Sequence, residues 1–263
     1  MKLSPGFVLV VSFAVSILTA GCSAEKDLAE SLPGIPAQIT EEIQVDTLTP
    51  SPSPAVSPTL QAPATDTPVY IPSSTATQIP ESFFINDISG TGQYFALGCE
   101  ASAAVDWANY FGVLIYEYNF QHELPISDNP DLGFVGDAKG PWGQVPPYAY
   151  GVHAGPVANL LREYGLPAVG VKGLTLDQIK ASLAASKPVI AWVIGNMVGG
   201  IPYEYTDKEG NLTTVAAYEH VVILTGYSLE NIRYLNNGKF YEVPDDVFLN
   251  SWGVLGNMAV LHE

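Results

Sequence analysis

Basic residues are scarce in this 263-residue chain: 10 Lys and Arg stand against 27 Asp and Glu, a formal net charge of −17. They form no cluster anywhere. A surface of this sign repels phosphate backbones, so nucleic acid is excluded as a partner. Cysteine is scarcer still, with Cys22 and Cys99 the whole complement. There is no CxxC and no grouping of Cys and His at metal-binding intervals, which argues against a structural zinc site. Neither a metal nor a cofactor is expected. No apolar run reaches the ~20 residues that span a bilayer, and no internal repeat is visible.

What is present divides the chain into three parts. Residues 1–21 carry Lys2, an apolar run from Phe7 to Val11 and a mostly apolar continuation to Leu18. This is the anatomy of a secretory signal. It ends in Leu18-Thr19-Ala20-Gly21-Cys22, small residues before a cysteine, which resembles a bacterial lipoprotein cleavage site. Thr19 departs from it, standing where a large aliphatic residue is usual. Cys22 would then be the lipidated N-terminus; the plainer alternative is an ordinary signal with a chance cysteine. Residues 22–80 read as a spacer. In Asp46–Pro80, 8 of 35 residues are Pro and 12 are Ser or Thr, too few apolar groups to offset the entropy of ordering. Residues 81–263 are long enough for one hydrophobic core. From Ser82 onward 19 acidic residues face 8 basic ones, which suits a neutral or basic substrate. The expectation is an extracytoplasmic, membrane-anchored lipoprotein at the cell surface. Its only membrane contact is the N-terminal lipid, and the protein is a monomer.

Lipidation of Cys22 leaves Cys99 unpaired in an exported protein, where disulfides are the usual fate of thiols. Ala101, Ala104, Val105, Ala108 and Phe111 make one apolar helical stripe directly after it. Cys99 therefore sits at the first turn of a buried helix, where unpaired N–H groups and the helix dipole favour an anion. Gln93, six residues upstream, is placed to donate beside the sulfur as an oxyanion donor. The alternative is that Cys99 is a small core hydrophobe.

Further along, Ile126–Val152 is rich in Pro, Gly, Asp and Asn and reads as a functional loop, with Trp142, Tyr148 and Tyr150 fit to line a groove. Gly155–Tyr164 and Thr175–Ala185 read as helices, the second with Thr175 as N-cap. Pro188–Ile194 and Ala216–Tyr227 are apolar runs of strand type, and Phe240–Val243 and Val247–Asn250 are short strands. Asn236-Asn237-Gly238 is a turn signal. Helices first and strands last predict an α+β fold with an antiparallel sheet.

His220 heads one of these strands, and Asn250-Ser251-Trp252-Gly253 follows it. A thiol needs a base, and the imidazole needs a third group to fix its tautomer. Trp252 could shield such a hydrogen bond from water. Among the other histidines, His122 and His153 flank the loop, where a solvated or groove-lining role is expected. His262, one residue from the C-terminus, is expected to fray. Glu100 would raise the thiol pKa if it pointed inward; it is expected to point away or to bond a nearby backbone donor.

Taken together, Gln-x5-Cys opening a helix, a His heading a strand that ends in Gly-Tyr, and a later Asn-Ser-Trp-Gly resemble the papain-like cysteine peptidases. Leu97-Gly98-Cys99-Glu100 and Gly133-Phe134-Val135-Gly136-Asp137 are similar to the bacterial cysteine peptidase family 39, which includes the bacteriocin-leader peptidases. The resemblance implies Cys99 as nucleophile, His220 as base, Asn250 as orienter and Gln93 as oxyanion donor, acting on a peptide or protein substrate. Trp142 and Tyr148 in the loop, and Trp252 beside Asn250, are the candidate substrate-binding residues. Many members of that family place Asp-Pro where this chain has Asn250-Ser251, and the His-to-Asn interval is longer here. The alternatives are a Cys-His peptidoglycan amidase or endopeptidase, and a catalytically silent surface binding module.

Overall fold

The computed structural model describes residues 79–263. The signal-like segment 1–21 and the spacer as far as residue 78 lie outside the described residues. The order is β1 (Phe83–Phe84), α1 (Cys99–Tyr110), α2 (Glu117–Glu123), α3 (Ala154–Glu163), β2 (Ala168–Val171), α4 (Leu176–Ala184) and β3 (Val189–Ile194). There follow β4 (Tyr203–Thr206), β5 (Leu212–Val215), β6 (Glu219–Tyr227), β7 (Asn231–Asn236), β8 (Lys239–Pro244), α5 (Asp245–Trp252) and β9 (Ala259–His262). The main sheet runs β2-β9-β3-β6-β7-β8, with β1 also on β6, and β4–β5 is a separate hairpin. Each named pairing is antiparallel. This is the expected papain-like α+β architecture. No helix among the described residues is long and apolar enough to cross a membrane.

The two central strands, β3 and β6, are buried along their whole length. Their unbroken apolar sequences follow from that, since a strand covered on both faces has no reason to alternate. Against β6 packs α1, whose small residues Ala101, Ala104 and Ala108 are wholly buried and so let the helix backbone come close to the sheet. Trp107 ties the same helix to the start of β3 by donating its indole N–H to the Pro188 carbonyl at 2.8 Å. At the start of α4 the expected cap is a full capping box: Thr175 Oγ1 accepts from the Gln178 N–H and Gln178 Oε1 accepts from the Thr175 N–H.

Three expectations change. Val247–Asn250 is not a strand but the middle of α5. Asp245 and Asp246 occupy the first turn, where the helix dipole favours carboxylates, and Phe248 stacks on Trp252 one turn later. With Ser251 the pair makes the buried face of α5, an i, i+3, i+4 spacing that fits a helix and that a strand would have split. His262 does not fray. It pairs with Ala168 in the sheet, and its ring stacks on Phe111 at 4.0 Å. His153 is wholly buried rather than solvated. The loop 126–152 is tied down: Val135 bridges Gly151, and Asp131 accepts from His153 Nδ1, Lys172 Nζ and Thr213 Oγ1.

Candidate active site

Cys99 is the first residue of α1, so the fold of the helix alone places it at the end of a buried element that abuts the sheet. His220 is the second residue of β6 and stands opposite Val193 of β3. The two share one cleft of about 280 Å³ with Gln93, Ala96, Trp142, Asn196, Asn236 and Asn237. The hairpin from β6 to β7 brings in the third residue. Leu235 pairs with Ile223, so Asn236 is carried back toward the His220 end of β6. There its Oδ1 lies 3.0 Å from His220 Nε2. An amide oxygen can only accept, so Nε2 carries the proton and Nδ1 keeps a lone pair. Trp142 closes the cleft on another side. Its indole N–H donates to the Glu219 carbonyl at 2.8 Å, and its ring stands edge-on to Tyr218 and His220.

The resemblance-based assignments divide accordingly. Cys99, His220, Gln93 and Trp142 come together; Asn250, Trp252 and Tyr148 do not. Asn250 is exposed on α5, its amide near Gly199. The partner that His220 finds is Asn236. Trp252 is wholly buried, donating to the Met258 carbonyl at 2.9 Å, so it shields the core and not the imidazole. Tyr148 is 66% exposed and does not line the cleft. Gln93 is in place, but its Nε2 is engaged, donating to the carbonyls of Phe95 at 2.8 Å and Ala96 at 3.1 Å. Its backbone N–H donates to Asn237 Oδ1 at 3.0 Å, and Asn237 Nδ2 donates to Asn236 Oδ1 at 3.2 Å. A run of amides thus connects the Gln93 segment to the imidazole.

Burial dominates the electrostatics. It pushes the Cys99 thiol up, and the charges of Glu100 and Glu219 and the bond to Glu100 push the same way, against the Val221 N–H. Burial also pushes His220 down, with the Asn236 hydrogen bond opposing. Burial thus disfavours the charged form of both groups. Glu100 turns inward, contrary to one expectation, and also satisfies the other: Oε2 accepts from Cys99 Sγ at 3.2 Å and Oε1 from the Val152 N–H at 2.7 Å. Cys99, Glu100 and Glu219 form the one group of three metal-type donors among the described residues. A protein S–H and an N–H already fill two of the Glu100 acceptor positions, as in a hydrogen-bonded cluster.

Comparison with known proteins gives the family and the fold. A family model described as "Peptidase_C39 like family" matches residues 85–260. The chain belongs to the Peptidase_C39 like family. A solved structure of a candidate C39-like peptidase from Bacillus anthracis superposes with a TM-score of 0.62 at 22% identity, over 70% of this chain and 98% of that one. At that identity the likeness speaks for the fold. Xylellain, a cysteine protease from Xylella fastidiosa, gives a TM-score of 0.36 at 13% identity over 74% of this chain and 90% of its own, and carries no weight. No curated protein matches the chain. C39-like family and fold together support a cysteine peptidase.

Asn236 was visible in the sequence only as part of a turn signal. A cue was available: a polar residue closing the strand that follows the His strand, at a hairpin's separation, where cross-strand neighbours meet. The Asn-Ser-Trp-Gly motif offered a competing orienter in Asn250.

Proposed function

We propose that the protein hydrolyses peptide bonds with Cys99 as nucleophile, His220 as general base and Asn236 as the residue that orients the imidazole. The observation that carries this is the shared cleft of Cys99 and His220, with Asn236 fixing Nε2 as the protonated nitrogen. In the first step the Cys99 S–H bond breaks and its proton passes to His220 Nδ1. Sulfur bonds to the carbonyl carbon, and the carbonyl electron pair moves to oxygen. The first N–H groups of α1, which have no acceptor within the helix, and the Gln93 amide are the donors available to that oxygen. Gln93 must release the Phe95 and Ala96 carbonyls to serve. Imidazolium then protonates the leaving amine, and water, activated by the neutral imidazole, hydrolyses the acyl-enzyme.

The N-terminal reading complements this one: lipid on Cys22 and a stalk of about 58 residues hold the domain outside the cell. Cleavage of a peptide library by the full chain tests the activity. Cys99→Ala and His220→Ala are each expected to remove it, by at least the ~10²–10⁴ that a general base supplies. Because the two act as one unit, the double variant is expected to be no slower. Activity within about tenfold of wild type in either variant would refute the proposal.

A further inference from the structure

A second cavity opens beside the catalytic cleft and shares two of its walls, Trp142 and Asn196. Its volume is about 350 Å³, within the ~300–1,000 Å³ of pockets that hold ligands. Val198, Ile201, Tyr203 and Tyr218 complete its apolar walls. With Trp142 they are between 45% and 68% exposed. Five large apolar side chains, half open to water around one hollow, form a patch of the kind that marks a binding site. Among the described residues, no carboxylate, ammonium or guanidinium group lines the cavity. That neutrality stands out in a domain where 19 acidic residues face 8 basic ones.

One wall of the cavity is strained. Tyr218 has a φ of 63°, the left-handed region that a bulky side chain rarely enters. Such a backbone persists only where its surroundings over-determine it, and it concentrates at functional sites. Three contacts hold it here. The Tyr218 carbonyl accepts from the Gly195 N–H at 2.7 Å. Its ring stands edge-on to Trp142, with centroids 5.1 Å apart. The ring also lies so close to Gly143 that a Cβ there would meet Tyr218 Cε1 at 2.4 Å. Tyr218 precedes His220 by two residues, and the Trp142 ring is edge-on to both. One indole, fixed by the Glu219 carbonyl, therefore borders the proposed base on one side and the cavity on the other.

We propose that this cavity is a specificity subsite for a bulky, uncharged apolar side chain adjoining the scissile bond, with Tyr218 and Ile201 as its determinants. The proposal deepens the peptidase reading and rests on it. A peptide whose scissile carbonyl sits at Cys99 extends a neighbouring side chain past Trp142 into the hollow. The acidic surface suits a neutral or basic substrate as a whole, but this position is narrower. A charged side chain of either sign would lose its water here and find no partner.

The test is the full chain's cleavage of a peptide library varied at each position around the cut bond. At one position adjoining it, Leu, Ile, Met and Phe are expected to exceed Asp, Glu, Lys and Gly by at least about tenfold in kcat/KM. Ile201→Asp adds a carboxylate at an exposed position, so the fold is expected to survive. It should reduce cleavage of the apolar peptides about tenfold and improve that of peptides with Lys at the same position. Tyr218→Asn keeps a residue that tolerates the left-handed backbone but removes the ring. It is expected to flatten the apolar preference while Tm holds. A library with no apolar preference beside the bond overturns the proposal, as does a preference that both variants leave unchanged. A second measurement needs no turnover: nitrogen-15 NMR of the Cys99→Ala chain titrated with N-acetyl-phenylalaninamide or N-acetyl-lysinamide. Shifts at Ile201 and Tyr218 with the first compound alone support the subsite; equal shifts with both, or none, overturn it. If those shifts appear and no peptide is cut, the peptidase reading fails while the apolar site stands.

Discussion

At the residue scale, the choice between Asn236 and Asn250 is the sharpest question. The hydrogen bond at 3.0 Å belongs to Asn236. Asn236→Ala is expected to reduce kcat/KM at least tenfold, less than the ~10²–10⁴ of losing the base, since the imidazole remains but is misoriented. Asn250→Ala is expected to stay near wild type. Parallel kinetics on the two variants check this, and the reverse order would restore Asn250. The pH profile offers a second check. Burial holds His220 below its ordinary value of 6.5, and the reaction needs His220 neutral. Activity should therefore fall on the acid side only below pH 6.5. The Asn236 bond raises the His220 pKa, so its removal should move the acid limb lower still. An acid limb above 6.5 in the wild type would contradict the buried, neutral base.

At the scale of elements, much of the fold was legible where one signal dominated. The apolar runs of β3 and β6, the stripe of α1 and the Thr175 cap of α4 each depend on nearby residues, and each is in place. Elements defined by distant partners were not legible. Ala259–His262 has no strong pattern of its own and becomes a strand because β2 and β3 accept it. The site divides likewise. Cys99 and His220 could be picked out from their local settings, whereas Asn236 depends on the β6–β7 register. The 126–152 loop gives a prediction at this scale. His153 and Lys172 donors outweigh burial and hold the Asp131 carboxyl well below its usual range, pinning the loop to β5 through Thr213. A lowered carboxylate stabilises the fold above its unfolded pKa, and the benefit is lost as pH falls. Asp131→Asn should therefore lower Tm at pH 7, with the gap to wild type closing as pH drops below about 4. A gap that persists unchanged into acid would mean that the Asp131 charge contributes nothing.

At the scale of the whole molecule, the proposed lipid anchor makes a prediction in cells. Cys22→Ser is expected to move the protein from the membrane fraction to the soluble fraction without altering its cleavage of peptides. Continued sedimentation with membranes would refute the lipoprotein reading. The β6–β7 hairpin has a further consequence for how the enzyme comes into being. The proposed base and orienter are 16 residues apart on one local unit, while the proposed nucleophile arrives from a helix made much earlier in synthesis. Local contacts form readily, and distant ones wait for the chain between them to close. A nascent chain that ends before His220 carries its thiol with nothing to activate it. Reactivity therefore waits on β6 seating itself against α1.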